Sequence, residues 1–238
     1  MRSPVQTRLE DLPAEIAVFP LPGAMLLPWG RLPLNIFEPR YLNMALDALA
    51  QGRLMGIIQP HHDKMARRRV TSEAVGSDSN VIMLPTEPPL YSVGCLGRIG
   101  SFEETEDGRL LISLKGLIRF RVADELAGRR GYRRVRADYS AFHADMEQLA
   151  KVDIGRDEIM KVLKPYLEAQ DMKINLDLLK NLSDGTLITS LSMICPFDPR
   201  EKQALLEAES VEARAKSLLT LLTMGVFDAG GKPDGPRQ

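Results

Sequence analysis

Residues able to do chemistry are few in this chain and widely scattered. His61 and His62 adjoin Asp63, and imidazole beside carboxylate suits zinc. Neighbouring residues on a strand point to opposite faces, however, and no further histidine or cysteine lies close in sequence, so an exposed polar loop is expected instead. Cys95, between Gly94 and Leu96, is a candidate nucleophile without a neighbouring histidine, and a small apolar thiol in such a context reads as core. Cys195 stands a hundred residues away, without a CxxC. Two cysteines so placed form neither a thiolate zinc site nor a disulfide scaffold, which fits a reducing cytoplasm. The chain has no GxxxxGK[ST] loop to cradle phosphates, no HExxH, no GxSxG elbow and no GxGxxG after a strand. No catalytic residue, metal ligand or cofactor is assigned.

Charge is clustered but balanced. Lys64, Arg67, Arg68 and Arg69 form one basic group, and Arg129, Arg130, Arg133, Arg134 and Arg136 around Tyr132 form another. Arginines alternating along a strand beside one aromatic could hold phosphate or RNA. The acidic run Glu103, Glu104, Glu106 and Asp107 balances them, so the expectation is a solvated, partly ion-paired surface. Over all 238 residues, 31 Lys and Arg meet 32 Asp and Glu, a net charge of −1 that provides no general field for a polyanion.

The least ordinary segment is Phe19 to Tyr41, FPLPGAMLLPWGRLPLNIFEPRY. Its prolines fix extended backbone while Met25, Leu26, Leu27 and Trp29 supply apolar and aromatic surface. Two readings stay open for Met25–Trp29: a docking surface for extended peptides, or part of the core. Ile36 and Phe37 read as core. Glu38 is expected to cap the following helix, and Arg40 to pin the strand-to-helix junction by charge-assisted hydrogen bonds. Replacing Arg40 by alanine would then cost roughly 1 to 3 kcal/mol.

The elements that must position these residues follow from hydrophobic periodicity. Short alternating runs predict strands at Ile16–Phe19, Leu32–Phe37, Leu54–Gln59, Leu90–Phe102, Arg109–Lys115, Leu117–Asp124 and Tyr132–Tyr139. Thr105, Glu106, Asp107 and Gly108 close a hairpin. One helix, opening at Glu38 and Pro39, interrupts them and carries Tyr41, Leu42, Ala45, Leu46 and Leu49 at helical spacing. From about residue 141 the pattern is helical. Ile159, Val162, Leu163, Tyr166 and Leu167 form one stripe, and Leu187, Leu191 and Ile194 another. Asp198, Pro199 and Glu201 read as a capping box. The last helix carries Val211, Ala215, Leu218 and Leu222, with Ser210 as its cap and Gly225 beyond its end. Strands without a βαβ rhythm, followed by helices grouped together, predict an α+β fold: an antiparallel barrel or sheet over 1–140 and a helical subdomain over 141–228, with a flexible tail at 229–238. The early apolar stretch is broken by Pro20, Pro22 and Pro28, and Leu218 to Phe227 has half the length of a bilayer span, so no membrane contact is expected.

The segment around Phe37 resembles the N-terminal substrate-binding domain of the ATP-dependent Lon protease. The resemblance rests on Phe19-Pro20-Leu21 and on Pro33-Leu34-Asn35-Ile36-Phe37-Glu38-Pro39-Arg40-Tyr41. It extends to Gly94-Cys95-Leu96-Gly97-Arg98-Ile99, to Leu114-Lys115-Gly116-Leu117-Ile118-Arg119-Phe120, and to Pro196-Phe197 with Glu201-Lys202-Gln203-Ala204-Leu205-Leu206-Glu207. This likeness implies a PUA-like β-barrel followed by helices, and recognition of unfolded or extended polypeptide segments. In Lon an ATPase and a Ser-Lys peptidase follow, and this sequence ends before either could begin. The expectation is therefore a stand-alone, non-enzymatic recognition protein that presents clients to a separate protease or chaperone. A PUA-like module for nucleic acid or a small ligand is the alternative, since PUA-like barrels elsewhere take RNA and the related cereblon family serves as an adaptor.

Overall fold

Alternation of buried and exposed positions sets the strands. Along β5 (Leu110–Arg129) the residues Leu110, Ile112, Leu114 and Ile118 point inward, and Leu111 and Lys115 point outward. β1 (Glu15–Pro20), β2 (Arg31–Ile36), β3 (Leu54–Ile58), β4 (Val93–Glu104) and β6 (Tyr132–Asp138) complete one six-stranded sheet, and α1 (Pro39–Ala50) lies between β2 and β3. The computed structural model describes residues 8–61, 87–147, 154–172 and 175–230. His62, Asp63, Lys64, Arg67, Arg68, Arg69 and residues 231–238 of the expected tail lie outside the described residues.

Strand order is β2-β5-β4-β3-β1-β6, and β5 also pairs with β6. The pairings thus run from β5 through β4, β3, β1 and β6 back to β5. Two expected strands, Arg109–Lys115 and Leu117–Asp124, are one continuous strand in which Gly116 makes no break. The sheet is not wholly antiparallel as expected: β1 and β3 run parallel, with Val18 opposite Gly56. The connection between them contains β2 and α1, which is long enough for the crossover a parallel pair needs. The β4–β5 hairpin turns at Thr105–Gly108, where Gly108 has a φ of +78°. A second tight turn joins β5 to β6 with positive φ at both Arg130 and Gly131, the combination that suits the twist of two-residue hairpins.

After β6 come a 3-10 segment (Ser140–Met146), α2 (Arg156–Ala169), α3 (Leu176–Lys180), α4 (Asp184–Ile194), α5 (Pro199–Glu207) and α6 (Val211–Gly230). Ile159, Leu163, Tyr166 and Leu167 of α2 are buried, as are Leu187 and Leu191 of α4. Ile194 is exposed, contrary to its place in the expected stripe, because the stripe has rotated outward at the last residue of α4. The box at α5 is complete: the Asp198 carboxylate accepts from the amides of Arg200 and Glu201, and the Glu201 carboxylate accepts from the Asp198 amide at 2.8 Å. α6 begins with Ser210 accepting from the Ala213 amide. It does not stop at Gly225 but continues to Gly230, so residues 229 and 230 belong to the helix rather than to the expected tail. Gly225 serves packing instead: a Cβ there would stand 2.5 Å from Tyr166 Cε2.

Candidate functional site

Between β1 and β2 the chain turns back over the sheet, and the turn separates Met25, Leu26 and Leu27 from Trp29. Met25, Leu26 and Leu27 are buried, and Trp29 remains 37% exposed. The docking-surface reading of Met25, Leu26 and Leu27 is therefore corrected: all three side chains are in the core, and two glycines let the turn close on the sheet. A Cβ at Gly97 would stand 2.7 Å from Leu26 Cδ2, and one at Gly116 would overlap the Leu27 carbonyl. Trp29 sits in the left-handed region at φ +67°, an uncommon place for a bulky residue. Three contacts fix it: its amide donates to Gly116 O at 3.0 Å, its indole Nε1 donates to Asp145 O at 2.9 Å, and Lys115 Nζ lies 5.2 Å from the ring centre.

Asp145 belongs to the network that fastens the helices to the sheet, and sequence reading missed it. Arg119 Nε and Nη2 donate to the two Asp145 carboxylate oxygens, both at 2.8 Å, with side-chain exposures of 6% and 9%. Arg119 Nη1 then reaches Leu206 O and Ala208 O, and Arg214 Nε reaches Leu205 O. Two buried guanidiniums thereby satisfy carbonyls at the C-terminal end of α5, where the helix dipole favours cations. Burial, and then Arg119 nearby, lower Arg214 to about 10, so it stays protonated at neutral pH. Farther along α5, Lys202 Nζ donates to Gly23 O at 2.7 Å and Gln203 Nε2 to Val93 O at 3.1 Å. The traces of this network in the sequence were Arg119 within the Leu114–Phe120 block and the polar residues recurring among apolar ones in α5.

The Pro33–Tyr41 motif is mainly architectural. Pro33 lies in β2, which pairs on one side with β5 and forms the edge of the sheet, where a missing amide hydrogen is tolerated. Leu34 is half-buried, Ile36 is buried, and Tyr41 is buried against Phe19 with ring centres 4.1 Å apart. Phe37 is 62% exposed and is not core as expected, because it follows Ile36 where the chain leaves the strand. Glu38 occupies the N-cap position of α1 ahead of Pro39 but makes no capping hydrogen bond with its side chain. Its carboxylate takes Arg40 Nε at 3.2 Å instead, and Arg40 Nη1 reaches Glu87 at 2.6 Å. Arg40 therefore ties α1 to the chain at Glu87 rather than pinning the strand end. All three groups are half-exposed, so Arg40→Ala should cost at most about 1 kcal/mol in urea unfolding, below the range expected from sequence. A loss above 2 kcal/mol would show that the triad is far better shielded than its exposure indicates.

The arginines around Tyr132 are neutralised, though not by the Glu103–Asp107 run. Arg129 and Arg130 face Asp47, Arg133 grips Glu125 with two bonds of 2.7 Å, Arg134 pairs with Glu15 and Arg136 with Asp124. The Tyr132 hydroxyl donates to Asp47, and this bond, followed by Arg130, holds the Asp47 carboxyl below its ordinary value. Both thiols are buried: burial pushes Cys95 up, and Cys195 up to about 12, so neither is a thiolate nucleophile at neutral pH. No cluster of three or more His, Cys, Asp or Glu able to hold a metal occurs among the described residues, and none of their helices is long and apolar enough to cross a membrane.

An open groove of about 440 Å³ lies over β2, β5 and β4, lined by Pro33, Leu34, Phe102, Glu103, Leu111 and Ser113. Phe102 and Leu111 are both exposed there. The family model for the ATP-dependent protease La (LON) substrate-binding domain matches residues 15–224. The chain belongs to this family. It is 24% identical over 225 residues to Lon protease 2 of Myxococcus xanthus, covering 93% of this chain and 25% of that protein. It is also 24% identical over 235 residues to the Lon protease of Anaeromyxobacter dehalogenans, covering 93% and 24%. The chain thus spans about a quarter of these relatives. Among solved structures it resembles the N-terminal domain of Lon protease from the Mycobacterium avium complex, with TM-score 0.58 and 16% identity over 90% of this chain and 98% of that one. A Lon N-terminal domain protein from Xanthomonas campestris gives TM-score 0.54 and 20% identity, over 87% and 97%. These structures support the fold alone. Of the Lon-like blocks, the glycines at 97 and 116 make room for the buried turn, and the α5 block fastens the helices.

Proposed function

We propose that this chain is a non-catalytic recognition module for polypeptide segments in extended conformation, and that it presents them to a proteolytic partner. The observation that carries this reading is the match of the Lon substrate-binding family over residues 15–224. The return of the strand pairings to β5 is consistent with a PUA-like barrel as its core. The nucleic-acid alternative loses its main support once the Arg129–Arg136 cluster is matched by carboxylates. Cytoplasmic placement, with no membrane contact, remains part of the proposal.

Of the four positions first considered for peptide contact, Trp29 alone keeps a solvent-accessible face, and it is the chain's only tryptophan. Titration with an extended apolar peptide lacking tryptophan should shift Trp29 emission to the blue and saturate. Fluorescein-labelled casein should gain anisotropy, with neither casein cleavage nor ATP turnover. Trp29→Ala should weaken binding roughly tenfold, which corresponds to about 1.4 kcal/mol. Its stability cost should stay under the ~3 kcal/mol expected for emptying a core site. No gain in anisotropy with casein, or turnover that disappears on a point substitution, would refute the reading.

A further inference from the structure

The outward face of the β2–β5–β4 ribbon carries its charges in order. Directly opposite residues on neighbouring strands share a face, and the register places Arg31 opposite Lys115 and Lys115 opposite Arg98. Three cations thus form one row across three strands. The next outward row is Pro33, Ser113 and Ser101, which are small and uncharged. The row after that is Asn35, Leu111 and Glu103, and the exposed carboxylate of Glu106 follows in the hairpin turn. Like charges set directly opposite one another destabilise a sheet. Among the described residues, no carboxylate pairs with Arg31 or Lys115, and no cation pairs with Glu103. The groove described above lies between the basic and acidic ends, with Leu111 in it.

Resting on the polypeptide reading, we infer that this face selects extended segments that carry an acidic and a basic residue about four positions apart with an apolar residue between them. From residue 31 to residue 35 the strand rises about 13 Å, and an extended segment spans that distance in four residues. A carboxylate of the segment meets Arg31 and Lys115, its apolar side chain covers Leu111, and its cation meets Glu103. A phosphate chain laid along the same line would run into Glu103 and, at the hairpin, Glu106. A second copy of this chain is disfavoured by area, since three strands by four residues offer roughly 200 Å², against about 800 Å² per partner in a stable interface.

The test uses fluorescein-labelled peptides without tryptophan: Asp and Lys four apart around Leu, the same peptide with both charges replaced by Gln, and one with Lys in place of Asp. Trp29, 5.2 Å from Lys115 Nζ, gives a second readout on the protein side. The Asp/Lys peptide should bind at least tenfold tighter than the Gln peptide, and the difference should shrink between 50 and 500 mM salt. The double variant Arg31→Glu, Lys115→Glu should lose that advantage and gain affinity for the Lys-for-Asp peptide, a rescue that misfolding cannot mimic. If casein binds but all three peptides bind alike, or the rescue fails, this face is not the site and the polypeptide reading survives. If casein does not bind either, both fall. Competition by a single-stranded oligonucleotide at equal affinity, or a concentration-dependent dimer abolished by the double variant, would overturn the assignment in favour of those occupants.

Discussion

Arg119→Ala is expected to cost about 3 to 5 kcal/mol of stability. The substitution leaves the Asp145 carboxylate buried with only the residue 119 amide, at 3.0 Å, to accept from, and it strips the carbonyls of Leu206 and Ala208 of their donor. Against a total stability of about 5 to 15 kcal/mol, the melting temperature should fall by roughly 6 to 20 °C. Replacing both partners by apolar residues, Arg119→Met with Asp145→Leu, should recover part of the loss, because most of the penalty comes from the unpaired buried charge. Recovery should be incomplete, since the α5 carbonyls still lack donors. Asp145 O also holds the Trp29 indole, so tryptophan emission should move to the red in Arg119→Ala even where the chain remains folded. Urea unfolding followed by far-ultraviolet circular dichroism and by emission separates the two effects. A loss below 1 kcal/mol would mean that water or another donor replaces the guanidinium.

Gly116→Ala should be nearly as damaging, by about 3 kcal/mol, for a steric reason. The added methyl would overlap the Leu27 carbonyl oxygen and stand 2.8 Å from its carbon, both backbone atoms that no rotamer change can move. Gly116 is also clamped from two sides, donating to Gly30 O at 2.9 Å and accepting from the Trp29 amide at 3.0 Å. Relief therefore requires the whole Met25–Trp29 turn to lift from the sheet, exposing Leu26 and Leu27. Gly100→Ala is the control: it lies on the paired strand β4 with nothing nearer than Ser113 O at 3.7 Å, and it should cost no more than the propensity of one strand position. Equal melting temperatures for the two variants would show that the turn moves freely.

The sequence by itself determined the elements and the family. Alternation along residues 110–124, helical spacing after residue 141, the Asp198–Glu201 box and the Thr105–Gly108 turn are local patterns, each set by residues a few positions apart. The Lon-like blocks were legible for the same reason, because contiguous residues carry them. Only the tertiary structure decided which apolar residues are core and which charges are free. Met25, Leu26 and Leu27 look the same in sequence whether they cover a surface or pack in the core against the space left by Gly97 and Gly116, which come about seventy and ninety residues later in the chain. The arginines between residues 129 and 136 drew their partners from β1, α1 and β5 rather than from the acidic run. Arg119 found Asp145 and the end of α5 across distances that no periodicity encodes. The row of Arg31, Lys115 and Arg98 exists only because sheet register sets three distant cations side by side. Burial and cross-strand register are properties of the assembled chain, and a residue's type states what it can do but not what it will face.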